Sequence, residues 1–118
     1  MEDSAFSEAF FGFIHAVIPS VSAAEVLLLM HRHPQRWWTT AELKAELPAD
    51  VNINEGGIAA CLEALRPHGV IEFNAEKLVR YCPASDSQDA HVRTLAQAYN
   101  ERPVTLIRMI YALRDPKI

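Results

Sequence analysis

Residues 52–73 read NINEGGIAACLEALRPHGVIEF, and how they fold decides the rest of the chain. An asparagine at 52 or 54 can accept a hydrogen bond from the unpaired amides that open a helix. Ile58, Cys61, Leu62 and Leu65 then fall on one face of that helix. His68-Gly69 supplies a stop, since glycine readily takes the left-handed conformation that ends helices. The run VIEF opens a strand, NAEK makes a polar turn, and LVRYC returns as the second arm of a hairpin. With Ile58 set at the core and about 100° per residue, Gly56, Ala60, Glu63 and Pro67 point most directly outward.

Working toward the N-terminus, Thr39-Thr-Ala-Glu42 has the form of a capping box, with Trp38 and Leu43 placed as a hydrophobic staple. It predicts a short helix with Leu43 and Leu47 inward that stops at Pro48. The staple puts Trp38 in the core, where it can begin a short strand against the hairpin. Ser22-Ala-Ala-Glu25 repeats the capping pattern, flanked by Val21 and Val26, and predicts a helix from Ala23 to about His33. Earlier still, Phe6, Phe10, Phe13 and Val17 recur at steps of 4, 3 and 4. That stripe predicts a helix from Ser4 to Ile18, ended by Pro19.

Toward the C-terminus, Ser85 to Asp89 is a polar link and cap. Val92, Leu95, Ala96, Tyr99, Leu106, Ile107, Ile110 and Leu113 then hold one helical phase. Because the phase survives across Pro103, the reading favours one long helix kinked near 103 over a break at Arg102. The expected fold is mainly α with a small β-hairpin. It forms a single domain over 1–118: an N-terminal helix (1–19), a core (20–83) and a C-terminal helix (84–118).

With 118 residues, 50% of them apolar and 22% charged, the chain can bury one core. Its formal charge of −4 opposes non-specific attraction to nucleic acid or anionic lipid. The opening MEDSAFSEAFFGF carries acidic residues where a secretory signal carries basic ones, so the expectation is a soluble cytoplasmic protein without membrane association. Cys61 and Cys82 form no CxxC pair and are expected to be buried free thiols. The sequence holds no Walker loop, HExxH, GxSxG or dinucleotide fingerprint, and implies neither an enzyme nor a cofactor. On a helix His31 and His33 would diverge by about 200°, so no metal site is assigned to them.

The quoted segments TTAELKAEL, IAACLEALRPHGVI and EFNAEKLVRY, in that order within residues 21–83, resemble a winged helix-turn-helix domain. The added helices at both ends are similar in layout to MarR-like regulators, in which such helices form a dimer interface. The resemblance implies that the helix near Thr39 crosses a DNA backbone, the helix near Glu55 enters the major groove, and the hairpin acts as the wing. Thr39, Thr40 and Lys44 would then meet phosphates, Asn52, Asn54 and Glu55 would approach bases, and Asn74, Lys77 and Arg80 would make the wing contact. Thr39 and Asn54 are equally accounted for as caps, Asn74 as a turn residue, and Lys44, Lys77 and Arg80 as solvated charges.

The outward face of the would-be reading helix carries no side-chain donor, whereas direct base readout relies on Arg, Lys, Asn and Gln. Ala41 to Pro83 holds 4 basic and 7 acidic residues, so the segment expected to read DNA is also the most acidic. Small residues do permit close approach of another helix, which makes Gly56, Ala60 and Glu63 a candidate protein-docking surface. A second candidate is MHRHPQRWWTT, where Arg32, Arg36 and Trp37 gather; Trp37 would anchor a partner, stack on a base, or shield the terminal helices.

The apolar stripe from Val92 to Leu113 would extend about 30 Å as one helix, more than a small core covers. Phe6, Phe10, Phe13, Val92, Tyr99, Leu106 and Ile110 are therefore assigned to dimerisation, packing within a protomer or across a two-fold axis. The expected function is a small dimeric winged-helix transcriptional regulator that binds double-stranded DNA weakly or atypically. The alternative is a winged-helix protein-interaction module that does not touch DNA. A third reading is a ligand-responsive switch with a pocket between the terminal helices and the core.

Overall fold

In the computed structural model the residues described are 7–48, 51 and 53–114. Six helices and one hairpin follow in the order α1 (Glu8–Val17), α2 (Val21–Arg32), α3 (Thr40–Glu46), α4 (Glu55–Leu65), β1 (Ile71–Phe73), β2 (Val79–Tyr81), α5 (Asp86–Glu101) and α6 (Pro103–Arg114). The protein is thus mainly helical with a small two-stranded antiparallel sheet.

Local chemistry sets most boundaries. The Ser7 hydroxyl accepts from the Phe10 amide to open α1. Thr39 and Glu42 form a full reciprocal capping box, each backbone amide donating to the other's side chain at 3.0 Å. Asn54 Oδ1 accepts from the Gly57 amide at 2.7 Å. After α4 a single 3-10 turn, Arg66–His68, leads to Gly69 at φ 75°, the left-handed position that glycine takes without a Cβ penalty.

Two expected boundaries are corrected. The α2 cap is Ser20, whose hydroxyl accepts from Ala23, and the helix begins at Val21. Ser22 therefore lies inside the first turn, and Glu25, which would have closed a capping box, accepts a hydrogen bond from the Tyr99 hydroxyl. The long C-terminal helix is in fact two helices, with Arg102 at φ −139°, ψ 58° between them. Pro103 has no amide hydrogen and suits the first position of a new helix, so α6 starts there and the chain turns. Apolar phase alone did not reveal this, because α5 and α6 bury their faces separately.

Trp38 joins the sheet as a one-residue third strand. Its amide donates to Val79 O at 2.7 Å and its carbonyl accepts from the Val79 amide at 3.0 Å. The ring is fully buried, as are Leu43, Ile58, Leu65 and Val70. A terminal layer covers the other side of α2. Helices α1 and α2 meet at 103°, and α1 packs on both α5 and α6. Phe13 stacks on His91 of α5 with ring centroids 5.1 Å apart, and Phe10 lies 6.3 Å from the same ring. No single helix among the described residues is long and apolar enough to cross a membrane.

Candidate functional site

The α4 helix presents the face its spacing predicts. Ile58, Leu62 and Leu65 are buried, while Gly56, Ala59, Ala60, Glu63 and Pro67 are exposed. The two glycines differ in their surroundings. A Cβ at Gly56 would meet only Asn54 Oδ1, at 3.4 Å, whereas one at Gly57 would come within 2.7 Å of Ile53 Cγ1. Gly57 is therefore required for the preceding chain to press on the helix start, and Gly56 keeps the outer face low. The carboxylate of Glu63 lies 3.6 Å from Arg66 one turn on, both well exposed. Arg66 also lies over the Phe73 ring at 4.9 Å, linking the end of α4 to the hairpin.

The residues assigned to DNA contact are largely engaged in folding. Thr39 caps α3 and Asn54 caps α4, as the sequence also allowed. Thr40 is half-buried in the first turn of α3. Asn74 Oδ1 accepts from the amides of Glu76 and Leu78 at 2.9 and 3.0 Å, which holds the hairpin turn and carries Lys77 at φ 68°. Arg80 pairs across the strands with Glu72 at 3.0 Å and lies over the Trp37 ring at 4.7 Å. Lys44 and Lys77 are the exposed cations of the set. Glu55 is exposed at the α4 start, where its charge complements the helix dipole. Asn52 lies outside the described residues.

Trp37 is half-buried against the hairpin beneath Arg80, so it covers β2 rather than the terminal helices. Arg36 lies 3.7 Å from the centroid of the Trp38 ring. Arg32 is exposed at the end of α2. Trp37, Arg80 and Glu72 make a ladder of indole, guanidinium and carboxylate, and Arg36 stacks separately on Trp38. Trp38 Nε1 is buried with no hydrogen-bond partner among the described residues.

The dimerisation set is placed inside one protomer. Phe10, Phe13, Val92, Leu106 and Ile110 are buried in the single chain, and Tyr99 is half-buried with its hydroxyl on Glu25. Phe6 lies outside the described residues. Because the chain turns at Arg102, the stripe is not one long rod needing a second copy to cover it. Among the described residues the large apolar side chains left at the surface are Phe11, Val104 and Tyr111, with Val104 and Tyr111 more than 60% exposed.

Sequence spacing did not reveal the junction of α2, β2 and α5. The Tyr81 hydroxyl donates to Asp89 at 2.7 Å, Arg93 pairs with the other Asp89 oxygen at 3.3 Å, and His31 meets the Tyr81 ring edge-on at 5.0 Å. Burial, then the hydrogen bond to Asp89, pushes the Tyr81 phenol far above its ordinary value. Burial lowers the His31 pKa; the Asp89 carboxylate opposes that, while Arg93 and Arg32 add to it. Gln88 makes a second tie, donating to His68 O at 2.6 Å and accepting from the Ala84 amide at 2.8 Å. These residues lie on elements remote in sequence, and no local period marks such pairs. Cys61 and Cys82, expected to be buried, are free and half-buried, and burial raises both thiol pKa values. Among the described residues no three His, Cys, Asp or Glu side chains converge as metal ligands.

Comparison with known protein families, with curated proteins and with solved structures finds no match.

Proposed function

We propose that this chain is a winged-helix regulatory module whose α4 helix docks on a protein partner rather than reading bases. The observation that carries this reading is the outer face of α4 and the turn after it, where Gly56, Ala59, Ala60, Glu63 and Pro67 are exposed. Such a face offers a partner helix close backbone approach, and it offers a base edge no side-chain donor. The order α2, α3, α4, hairpin supports the winged-helix assignment, and Trp38 bridging to Val79 supplies the short first strand such a domain uses. Action inside the cytoplasm is part of the same proposal.

A second reading, sequence-tolerant contact with duplex DNA in transcription control, is supported by the exposure of Lys44 on α3 and Lys77 on the hairpin turn. Arg66, just after α4, is a further exposed cation, paired with Glu63. Contacts of this kind position a protein on phosphate without specifying sequence. A homodimer would use Val104 and Tyr111 on α6 rather than the buried stripe.

Duplex binding measured in a series of salt concentrations separates the two readings. The docking reading expects no binding even at low salt, and no gain from Glu63→Ala. Binding that falls steeply with salt and weakens several-fold in Lys44→Ala and Lys77→Ala would replace it with the DNA reading.

A further inference from the structure

Helix α6 buries one side and leaves the other open to solvent. Leu106 and Ile110 face inward, where α6 packs on α1, α2 and α5. At about 100° per residue, Val104, Arg108 and Tyr111 fall within about 60° of one another on the opposite side. All three are exposed, and Val104 and Tyr111 are the most exposed large apolar side chains among the described residues. Thr105 and Ala112, also exposed, flank this strip with small side chains. The strip runs about 10 Å along the helix at 1.5 Å per residue, which is the reach of one crossing helix.

The centre of the strip carries an unanswered charge. One turn either side of Arg108 stand Val104, Thr105, Tyr111 and Ala112, none of them a carboxylate. Arg108 forms no ion pair among the described residues. A guanidinium set between two apolar groups selects what can cover it. A second copy is disfavoured, because a two-fold axis through the strip would bring Arg108 against Arg108. A lipid surface suits a helix whose cations lie away from its apolar face, and here the inward apolar face is already buried in the protein. Nucleic acid would gain a single phosphate contact at Arg108. A carboxylate flanked by apolar side chains complements all three residues at once.

We propose that the outer face of α6 docks an acidic amphipathic helix of a partner protein, with a carboxylate on Arg108 and apolar side chains on Val104 and Tyr111. Arginine offers a planar fork that a carboxylate meets with two parallel hydrogen bonds. Tyrosine and arginine are the side chains that often carry binding energy at interfaces, and here they stand one turn apart on an exposed helix face. Thr105 and Ala112 leave room for the partner backbone to come close. Apolar contact at Val104 and Tyr111 would shelter the ion pair from water, and the charge sets which helix is accepted. This surface belongs to the terminal layer and does not rest on what α4 contacts.

Isothermal titration of the full chain with designed alanine-based helical peptides tests this directly. Each peptide carries two leucines a heptad apart and, midway between them, glutamate, glutamine or lysine. The glutamate peptide binds best and the lysine peptide about tenfold or more weaker, as expected when like charges meet. Arg108→Glu, at an exposed position, inverts that order, so that the lysine peptide becomes the better ligand. Equal binding of the glutamate and lysine peptides, an order that survives Arg108→Glu, or no heat from any peptide at millimolar concentration would overturn the assignment. Two further results would replace it with another occupant. Self-association in sedimentation that Tyr111→Ser abolishes would give the face to a second copy, and binding to phosphatidylserine vesicles that Arg108→Glu abolishes would give it to lipid.

Discussion

The corner where Trp37 and Trp38 meet the hairpin and the outer face of α4 belong to the same half of the molecule, yet they are built oppositely. At the corner, two indoles, two guanidinium groups and a carboxylate engage one another, and Trp38 is wholly buried. On α4 and the turn after it, glycine, alanine and proline lie exposed to solvent, with an exposed ion pair at the edge. An aromatic and basic run of sequence can thus be committed to holding a fold together, while a run with almost no functional chemistry remains the surface free to meet something else. Rich composition marks internal commitment here, and poverty marks availability.

The sharpest way to break that contrast is to empty the corner. Trp38→Ala should cost about 3–5 kcal/mol in urea unfolding, because it leaves a large cavity beneath Arg36 and Val79. Trp38→Phe should cost much less, since the indole Nε1 it removes has no partner among the described residues. If both cost the same, the buried nitrogen has a partner that the described residues do not include.

The terminal layer extends the contrast to the rest of the chain. Leu106→Ala should cost about 2–5 kcal/mol, with an unfolding midpoint independent of protein concentration, because Leu106 is buried within one protomer. A midpoint that rises with concentration would show that subunit contact shares in covering this layer.

Smaller effects test the α4 face itself. Gly56→Ala should stabilise by about 0.5–1 kcal/mol, as expected for a helical glycine whose new methyl meets only an ordinary contact. Gly57→Ala should lose that gain, since its Cβ would come within 2.7 Å of Ile53 Cγ1. Equal gains at both positions would mean that Ile53 does not press on the helix start.

The smallest effect is a slope with pH. His31 titrates below its ordinary value of 6.5, so the unfolded chain takes up the proton more readily than the folded one. Its contribution is full above about pH 6.5 and is lost as the pH falls through the lowered native value. His31→Gln should flatten unfolding midpoints over that window; an unchanged slope would assign it to other groups.

Much of the fold could be read from local pattern. The Thr39 box, the Asn54 cap, the inward face of α4, the Gly69 stop and the hairpin each follow from a few adjacent residues, and each is present. The failures came where two local answers were equally good. Ser20 and Ser22 can both cap a helix; Ser20 does so, and the Glu25 carboxylate meets Tyr99, 74 residues on, instead of closing a box. Pro103 fits a kinked helix or a new one, and only packing against α1 distinguishes them. For the candidate surface, spacing gave the outward face of α4 correctly. It left open which basic residues were engaged, since the partners of Arg80, Arg36 and Asp89 lie on other elements.

The two neighbouring tryptophans also give the protein a built-in optical reporter. One indole is wholly buried beneath Arg36 and the other half-buried beneath Arg80 at the edge of the hairpin, so their emission should differ in colour and in sensitivity to quenchers. Any partner that lifts the hairpin would uncover Trp37 first, and the encounter would register in unlabelled protein as a change in intrinsic fluorescence.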